Sequence, residues 1–225
     1  MKILNSAVLA ITLGLLSTSA QALFINGSFE TASINPATSS TGARTVCGTQ
    51  ITGWTASCGL TVDYMADGAF GPTYGFGFTG LTTPFGQRFV DLTGSDRGMG
   101  FISKPLLNTA AGATYVVGFD IGGTDQFGET GVPQVNIDIS GLYNVFAGSR
   151  TVVDAATRMS WTHHEFSFIG TGGDMLLKFT GVGTPLCCVV GLDNVTVTKL
   201  PEPGTLSLLA FGLTGIVWIR RRKIA

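Results

Sequence analysis

Two stretches near the middle of the chain alternate between large apolar positions and mostly small or polar ones. Tyr115, Val117, Phe119 and Ile121 are interleaved with Thr114, Val116, Gly118 and Asp120, and Val135, Ile137 and Ile139 with Gln134, Asn136, Asp138 and Ser140. A period of two carried by β-branched and aromatic residues marks a strand with one face buried. Shorter runs of the same kind predict further strands at 24–30, 53–56, 61–64, 88–92, 100–103, 143–147, 162–168, 175–180 and 192–199, separated by Gly and Thr/Ser/Asn/Asp clusters. Nothing between residues 23 and 200 keeps a 3.6-residue period for three turns, and no internal repeat is visible. Many short strands in one body predict an all-β fold, an antiparallel β-sandwich or jelly roll. The glycine- and aromatic-rich segment 68–86 is predicted as a long surface loop.

The two ends break this pattern. Residues 1–22 run from Lys2 through an apolar stretch, Ile3 to Leu16, to the small-residue exit Ala20-Gln21-Ala22. That order predicts a signal helix with an A-x-A cleavage site, hence passage through the Sec export machinery. At the other end, Pro201-Glu202-Pro203-Gly204 precedes an apolar run and then Arg220-Arg221-Arg222-Lys223. The 16 residues between Pro203 and Arg220 reach about 24 Å as a helix, short of a hydrocarbon core about 30 Å thick. A short C-terminal transmembrane helix follows, with its cations on the cytoplasmic side and the body outside. On physical grounds a permanent single-pass anchor and a processed tail stand level.

The order Pro-Glu-Pro, short apolar helix, Arg cluster resembles the PEP-CTERM sorting signal of Gram-negative bacteria that make exopolysaccharide. The resemblance covers 201–225 and implies that Pro201, Glu202, Pro203, Arg220, Arg221 and Arg222 are read by a membrane exosortase. The body would then be delivered to the outer cell surface or the extracellular matrix after transient anchoring in the inner membrane. Three segments result: a signal peptide at 1–22, a β-sandwich domain at 23–200, and the sorting signal at 201–225.

Setting the end signals aside changes the charge. Without Lys2, Arg220, Arg221, Arg222, Lys223 and Glu202, the body keeps eight Lys and Arg against thirteen Asp and Glu, a net charge near −5. No cluster of cations is left to hold nucleic acid; cations and neutral sugars remain compatible partners. The body's 178 residues suffice for one sizeable core. Its four cysteines suit export. Cys47 and Cys58 are 11 apart, Cys187 and Cys188 are adjacent, and three pairings are formally open. Bridging Cys47 to Cys58 would stiffen a segment poor in apolar residues, and is the preferred pairing. A four-cysteine zinc site lacks the C-x2-4-C spacing.

Two carboxylates stand out near the ends of the body, Glu30 in Asn26-Gly27-Ser28-Phe29-Glu30 and Asp193 in Leu192-Asp193-Asn194-Val195. Alternation puts Asp193 on the side of Val195 and Val197, and a carboxylate on an apolar face needs a partner. A hard cation such as calcium is one; backbone N–H groups and Arg are another. These two motifs, with Gly53-Trp54, Gly86-Gln87-Arg88-Phe89-Val90-Asp91-Leu92 and Thr114 to Asp120, resemble galactose-binding-like jelly rolls. That group includes the DUF642 type and several carbohydrate-binding modules. The resemblance implies one structural calcium ion held by Glu30 and Asp193, although Asn194 stands where relatives often have a second carboxylate.

Glycan contact needs aromatic faces ringed by polar groups. Tyr64 and Tyr74, which flank the long loop, are the candidates; most of the other aromatics read as core. Catalysis finds little support. His163 and His164 are adjacent in a predicted strand and point to opposite faces, and no nucleophile elbow, H-E-x-x-H or phosphate loop occurs. The sequence thus implies a non-enzymatic, exported, surface-sorted protein of the exopolysaccharide or biofilm matrix, acting by weak glycan binding or structural association. The alternatives are a polysaccharide-active hydrolase and a permanently anchored surface domain.

Overall fold

The computed structural model describes residues 24–59, 61–77, 80–94, 98–124, 132–148, 159–182 and 189–201, with the backbone alone for 143–148. The signal segment, Cys187 and Cys188, and the tail beyond Pro201 (Glu202, Pro203 and Arg220 to Arg222 included) lie outside the described residues. So does the expected transmembrane helix; among the described residues no helix is long and apolar enough to cross a membrane.

The chain forms two antiparallel sheets from eleven strands: β1 (Ala43–Thr45), β2 (Thr55–Ala56), β3 (Asp63–Ala66), β4 (Arg88–Asp91), β5 (Phe101–Leu106), β6 (Thr114–Gly123), β7 (Gln134–Ile139), β8 (Tyr143–Gly148), β9 (Ser160–Ile169), β10 (Met175–Val182) and β11 (Gly191–Lys199). One sheet runs β1-β3-β4-β11-β6-β9 and the other β2-β5-β10-β7-β8. The period-two pattern sets the packing. Tyr115, Val117, Phe119 and Ile121 of β6 meet Ile102, Val135, Ile137, Ile139, Leu177 and Phe179 of the facing sheet in one buried core. Trp54 fills its middle at 1% exposure, with Phe29 5.1 Å and Phe179 6.3 Å away between ring centres, and its indole N–H donates to the Asn26 carbonyl at 2.8 Å.

Two elements differ from expectation. Residues 24–30 form no strand: Asn26 and Phe29 sit in the left-handed region at φ 57° and 56°. The Asn26 side chain donates to the carbonyls of Thr31 (2.9 Å) and Thr52 (2.8 Å) and accepts from the Thr31 N–H (2.9 Å). A short amide that binds nearby backbone in this way competes with ladder pairing and wins here. Three-residue β1, which pairs with β3, has no alternation long enough to announce it.

Segment 68–86 lies over the outer face of the six-stranded sheet, and it is more than surface loop. Ala69 and Leu81 are fully buried and pack with Met65, Phe89, Met159 and Val189 as a second apolar layer. Trp161 lies across the glycines of β6 and β11: a Cβ added at Gly122 would stand 2.8 Å from its ring, and one at Gly191 3.0 Å. Phe85 and Phe89 meet that ring edge-on, and the Trp161 N–H donates to the Thr82 carbonyl at 2.8 Å. The glycines are required because any side chain there would lift the indole off the sheet.

One end of the sandwich is closed by loops 107–113 and 170–174. Thr109 donates to the Gly173 carbonyl through both its N–H (3.0 Å) and its hydroxyl (2.6 Å), the Gly112 N–H to Gly170 (2.9 Å), the Gly170 N–H to Ala113 (2.8 Å), and the Asn108 N–H to the Asp174 carboxylate (2.8 Å). These bonds stitch the two sheets together where β11 also ends, with the Leu200 N–H on the Thr114 carbonyl at 2.8 Å.

Candidate functional site

The two expected calcium ligands fall near the first turn and in the last strand. Glu30 is exposed, and its Oε1 accepts from the N–H groups of Gln87 (2.7 Å) and Arg88 (3.0 Å). Asp193 does not lie on the side of Val195 and Val197. The β11–β6 register shifts between Asp193 and Thr196, and Asn194 adopts φ 51°. That bulge lets Leu192 and Val195 both enter the core, so Asp193 faces the outer side with its partner Asp120. The Asp193 carboxylate is fully buried under segment 68–86, accepting from the Thr83 hydroxyl at 2.5 Å and the Asn194 N–H at 2.6 Å. Burial pushes its pKa up to about 7, against the pull of those two bonds, with Glu30 and Asp120 adding to the rise.

Glu30 and Asp193 are thus within electrostatic reach of one another. A hard cation would suit them, since it would offset the buried charge of Asp193. Calcium takes six to eight oxygens. Among the described residues, though, no group of three or more His, Cys, Asp or Glu converges as a metal cage, so other oxygens would have to complete the shell.

Further acids share the outer face of the six-stranded sheet. Asp91 is 4% exposed and accepts from Val190 N–H (2.9 Å), Thr93 N–H (3.0 Å) and Thr93 hydroxyl (2.7 Å); burial raises its pKa to about 6 in spite of these bonds. Asp120 accepts from the Asn194 side-chain amide (2.9 Å) and lies 3.0 Å from His163 Nδ1, whose Nε2 is 3.4 Å from Glu165. The bond to Asp120 raises the His163 pKa. His164 points the other way and stacks on Phe119; burial lowers its pKa and leaves its Nε2 with no partner.

Of the aromatic candidates, Tyr64 is 1% exposed and donates its hydroxyl to the Phe29 carbonyl at 2.6 Å, with its pKa pushed up to about 12 by burial. It is a core residue and presents no face to a sugar. Tyr74 is half-buried in the short 3-10 turn Pro72–Tyr74, its ring lying against Gly42. Cys47 and Cys58 form a disulfide with Cα atoms 4.6 Å apart, beside the antiparallel bridge between Gly48 and Ala56.

The outer face of the five-stranded sheet was not singled out by the sequence. It carries the polar half of each alternation. In one cross-strand row Lys178 pairs with Ser103 and Asp138; in the next Thr180 pairs with Phe101 and Asn136. Lys178 Nζ is 3.6 Å from Asp138 and 5.9 Å above the Phe101 ring. Asn136 Oδ1 is buried with no hydrogen-bond partner. A half-exposed aromatic ring, a cation–carboxylate pair and an amide with an unused oxygen stand on three adjacent strands. The signal was present in Gln134, Asn136 and Asp138, and becomes a site only once β5, β7 and β10 are known to be neighbours.

No family model matches the chain, and no curated protein is similar to it in sequence. Solved structures are similar in fold. TmCBM61, solved in complex with β-1,4-galactotriose, superposes with a TM-score of 0.50 at 14% identity, over 81% of this chain and 100% of its own. The CBM22-1 xylan-binding domain of Paenibacillus barcinonensis Xyn10C gives 0.41 at 15% identity, over 70% and 91%. A CBM4 structure gives 0.34 at 15%, over 78% and 98%. The chain shares with TmCBM61 an antiparallel β-sandwich that spans the whole of that module.

Proposed function

We propose that this chain is an exported, non-catalytic glycan-binding domain of the exopolysaccharide matrix, and that the outer face of the five-stranded sheet is its contact surface. The observation that carries the reading is the likeness of fold to a whole module solved with a galactan trisaccharide. That face adds chemistry suited to it: half-buried Phe101 offers a ring for the apolar face of a sugar, while Lys178 and Asp138 offer charges to hydroxyl groups. The acidic body favours a neutral polysaccharide. The two end signals support delivery to the cell surface, with the tail read by an exosortase after Sec export. One calcium ion between Glu30 and Asp193 is part of the same proposal, in a structural role.

Retention of residues 23–200 on the native exopolysaccharide and on β-1,4-galactan tests the binding. Lys178→Ala should weaken it by about tenfold, equivalent to about 1.4 kcal/mol, while leaving the fold intact. No retention on either polymer would leave a structural matrix protein in its place, and release of reducing ends would replace the reading with a hydrolase.

A further inference from the structure

Eight large apolar side chains are exposed among the described residues: Ile25, Met99, Leu107, Val132, Leu142, Ile169, Leu176 and Leu200. Five of them are spread around the end closed by loops 107–113 and 170–174. Leu107 (66% exposed) follows β5, Leu142 (62%) stands in the turn before β8, Leu176 (45%) is the second residue of β10 on the outer face of its sheet, Ile169 (45%) ends β9 on the outer face of the other sheet, and Leu200 (41%) follows β11. The strand registers put these positions together. Met175 pairs with Leu106 and Leu177 with Ile139 in one sheet, and Thr114 with Ile169 and Tyr115 with Lys199 in the other. Ringed by Ala, Gly and Thr, this end carries only Asp174 and Lys199 as charged residues over 107–113, 140–142, 169–175 and 199–201, and the Asp174 carboxylate is already engaged by the Asn108 N–H.

The chain also leaves the sandwich here. Leu200 is pinned to Thr114, and Pro201, Glu202, Pro203 and Gly204 alone separate it from the apolar run that starts at Thr205. Four residues at about 3.1 Å each in a proline-stiffened extended chain reach about 12 Å. The polar layer of one leaflet is about 5–8 Å thick. An inserted tail therefore holds this end within about 4–7 Å of the polar layer, a gap that exposed leucine and isoleucine side chains can bridge.

We propose that this end is a membrane-docking surface: while the tail is inserted, Leu107, Leu142, Ile169, Leu176 and Leu200 lie in the headgroup region of the bilayer and hold the sandwich upright on it. The inference rests on reading 205–219 as a membrane segment, and supplies that reading with an orientation for the body. Docking would end when the tail is cut, because five scattered side chains give no lasting hold without it.

The test uses the full chain in single-copy nanodiscs of phosphatidylethanolamine and phosphatidylglycerol. Alkaline carbonate extraction reports insertion, and amide hydrogen exchange reports docking. Docking predicts exchange slowed several-fold in 107–113, 140–142 and 170–174 relative to lipid-free residues 23–200, with no change at 98–100 and 132–133 at the far end. It also predicts that Leu107→Asn/Leu142→Asn/Leu176→Asn restores fast exchange while the chain resists extraction. A chain that resists extraction yet shows no slowing overturns the docking and leaves the tail reading standing; a chain that extracts overturns both. Slowing confined to discs holding two chains assigns the surface to a second copy and overturns the proposal.

Discussion

Replacing Asp193 by Asn removes a charge that the fold disfavours and keeps the shape of the side chain. Asp193 is fully buried and its pKa rises from 3.8 to about 7, chiefly through desolvation. At 1.36 kcal/mol per pH unit that difference amounts to about 4 kcal/mol; relaxation of the buried site on ionising brings the expected value nearer 2 kcal/mol. The sign follows from linkage. The folded state binds a proton more tightly than the unfolded one, so the stabilising contribution is complete below pH 3.8 and is lost as the pH rises through about 7. Asp91, raised to about 6, acts in the same sense, as does His163 with its raised value. In excess chelator the native protein should therefore melt higher at pH 5 than at pH 8. Asp193→Asn should raise the melting temperature at pH 8 by about 4–8 °C, taking 2–4 °C per kcal/mol for a domain of this size, and by about 40% as much at pH 5, which lies inside the window between 3.8 and about 7. Calorimetric scans of both proteins at the two pH values decide it. A variant destabilised equally at pH 5 and pH 8 would refute the reasoning, since its loss would then come from broken bonds to Thr83 and Asn194 rather than from charge. Calcium supplies an internal control: an ion held by Asp193 and Glu30 should raise the native melt at pH 8 and leave the variant unmoved.

Reducing the Cys47–Cys58 bridge, or making Cys47→Ser/Cys58→Ser, should cost about 2–3 kcal/mol by the loop-entropy argument and lower the melting temperature by about 4–12 °C; an unchanged melt under reducing conditions would show that the Gly48–Ala56 bridge closes the loop unaided. Gly122→Ala pushes a methyl group into the Trp161 ring and the Met159 methyl and should cost about 1–3 kcal/mol as overpacking, read from the midpoint of chemical denaturation together with a shift in tryptophan emission; retention of both would mean that the indole does not lie flat on the sheet.

Long alternations were legible because one covalent rule, opposite faces for successive residues, governs them directly. The runs at 114–121 and 134–140 became β6 and β7 close to where they were expected. The rule fails at a single inserted residue. Asn194 at φ 51° moves Asp193 from the apolar side to the outer side, and no local pattern distinguishes a bulge from a strand. Asn26 fails the other way, since its amide satisfies the backbone that a strand would have paired. Flanking the long loop makes Tyr64 a candidate for glycan contact, but its phenol finds the Phe29 carbonyl and can be buried whole. The open face of the five-stranded sheet needed the order β5-β10-β7, which is information about the fold and not about any one stretch.

Part of the outer face of the six-stranded sheet, around Gly122, Gly191 and Phe89, is covered by segment 68–86, whereas among the described residues no second apolar layer lies on the polar side of the five-stranded sheet. The two therefore stand under different constraints. A change at Gly122, Gly191 or Phe89 disturbs packed neighbours, whereas Ser103, Thr180, Asn136 and Lys178 can be exchanged with little effect on the core behind them. A molecule divided in this way can drift from one polymer to another, residue by residue on its bare side, without ever passing through an unfolded ancestor.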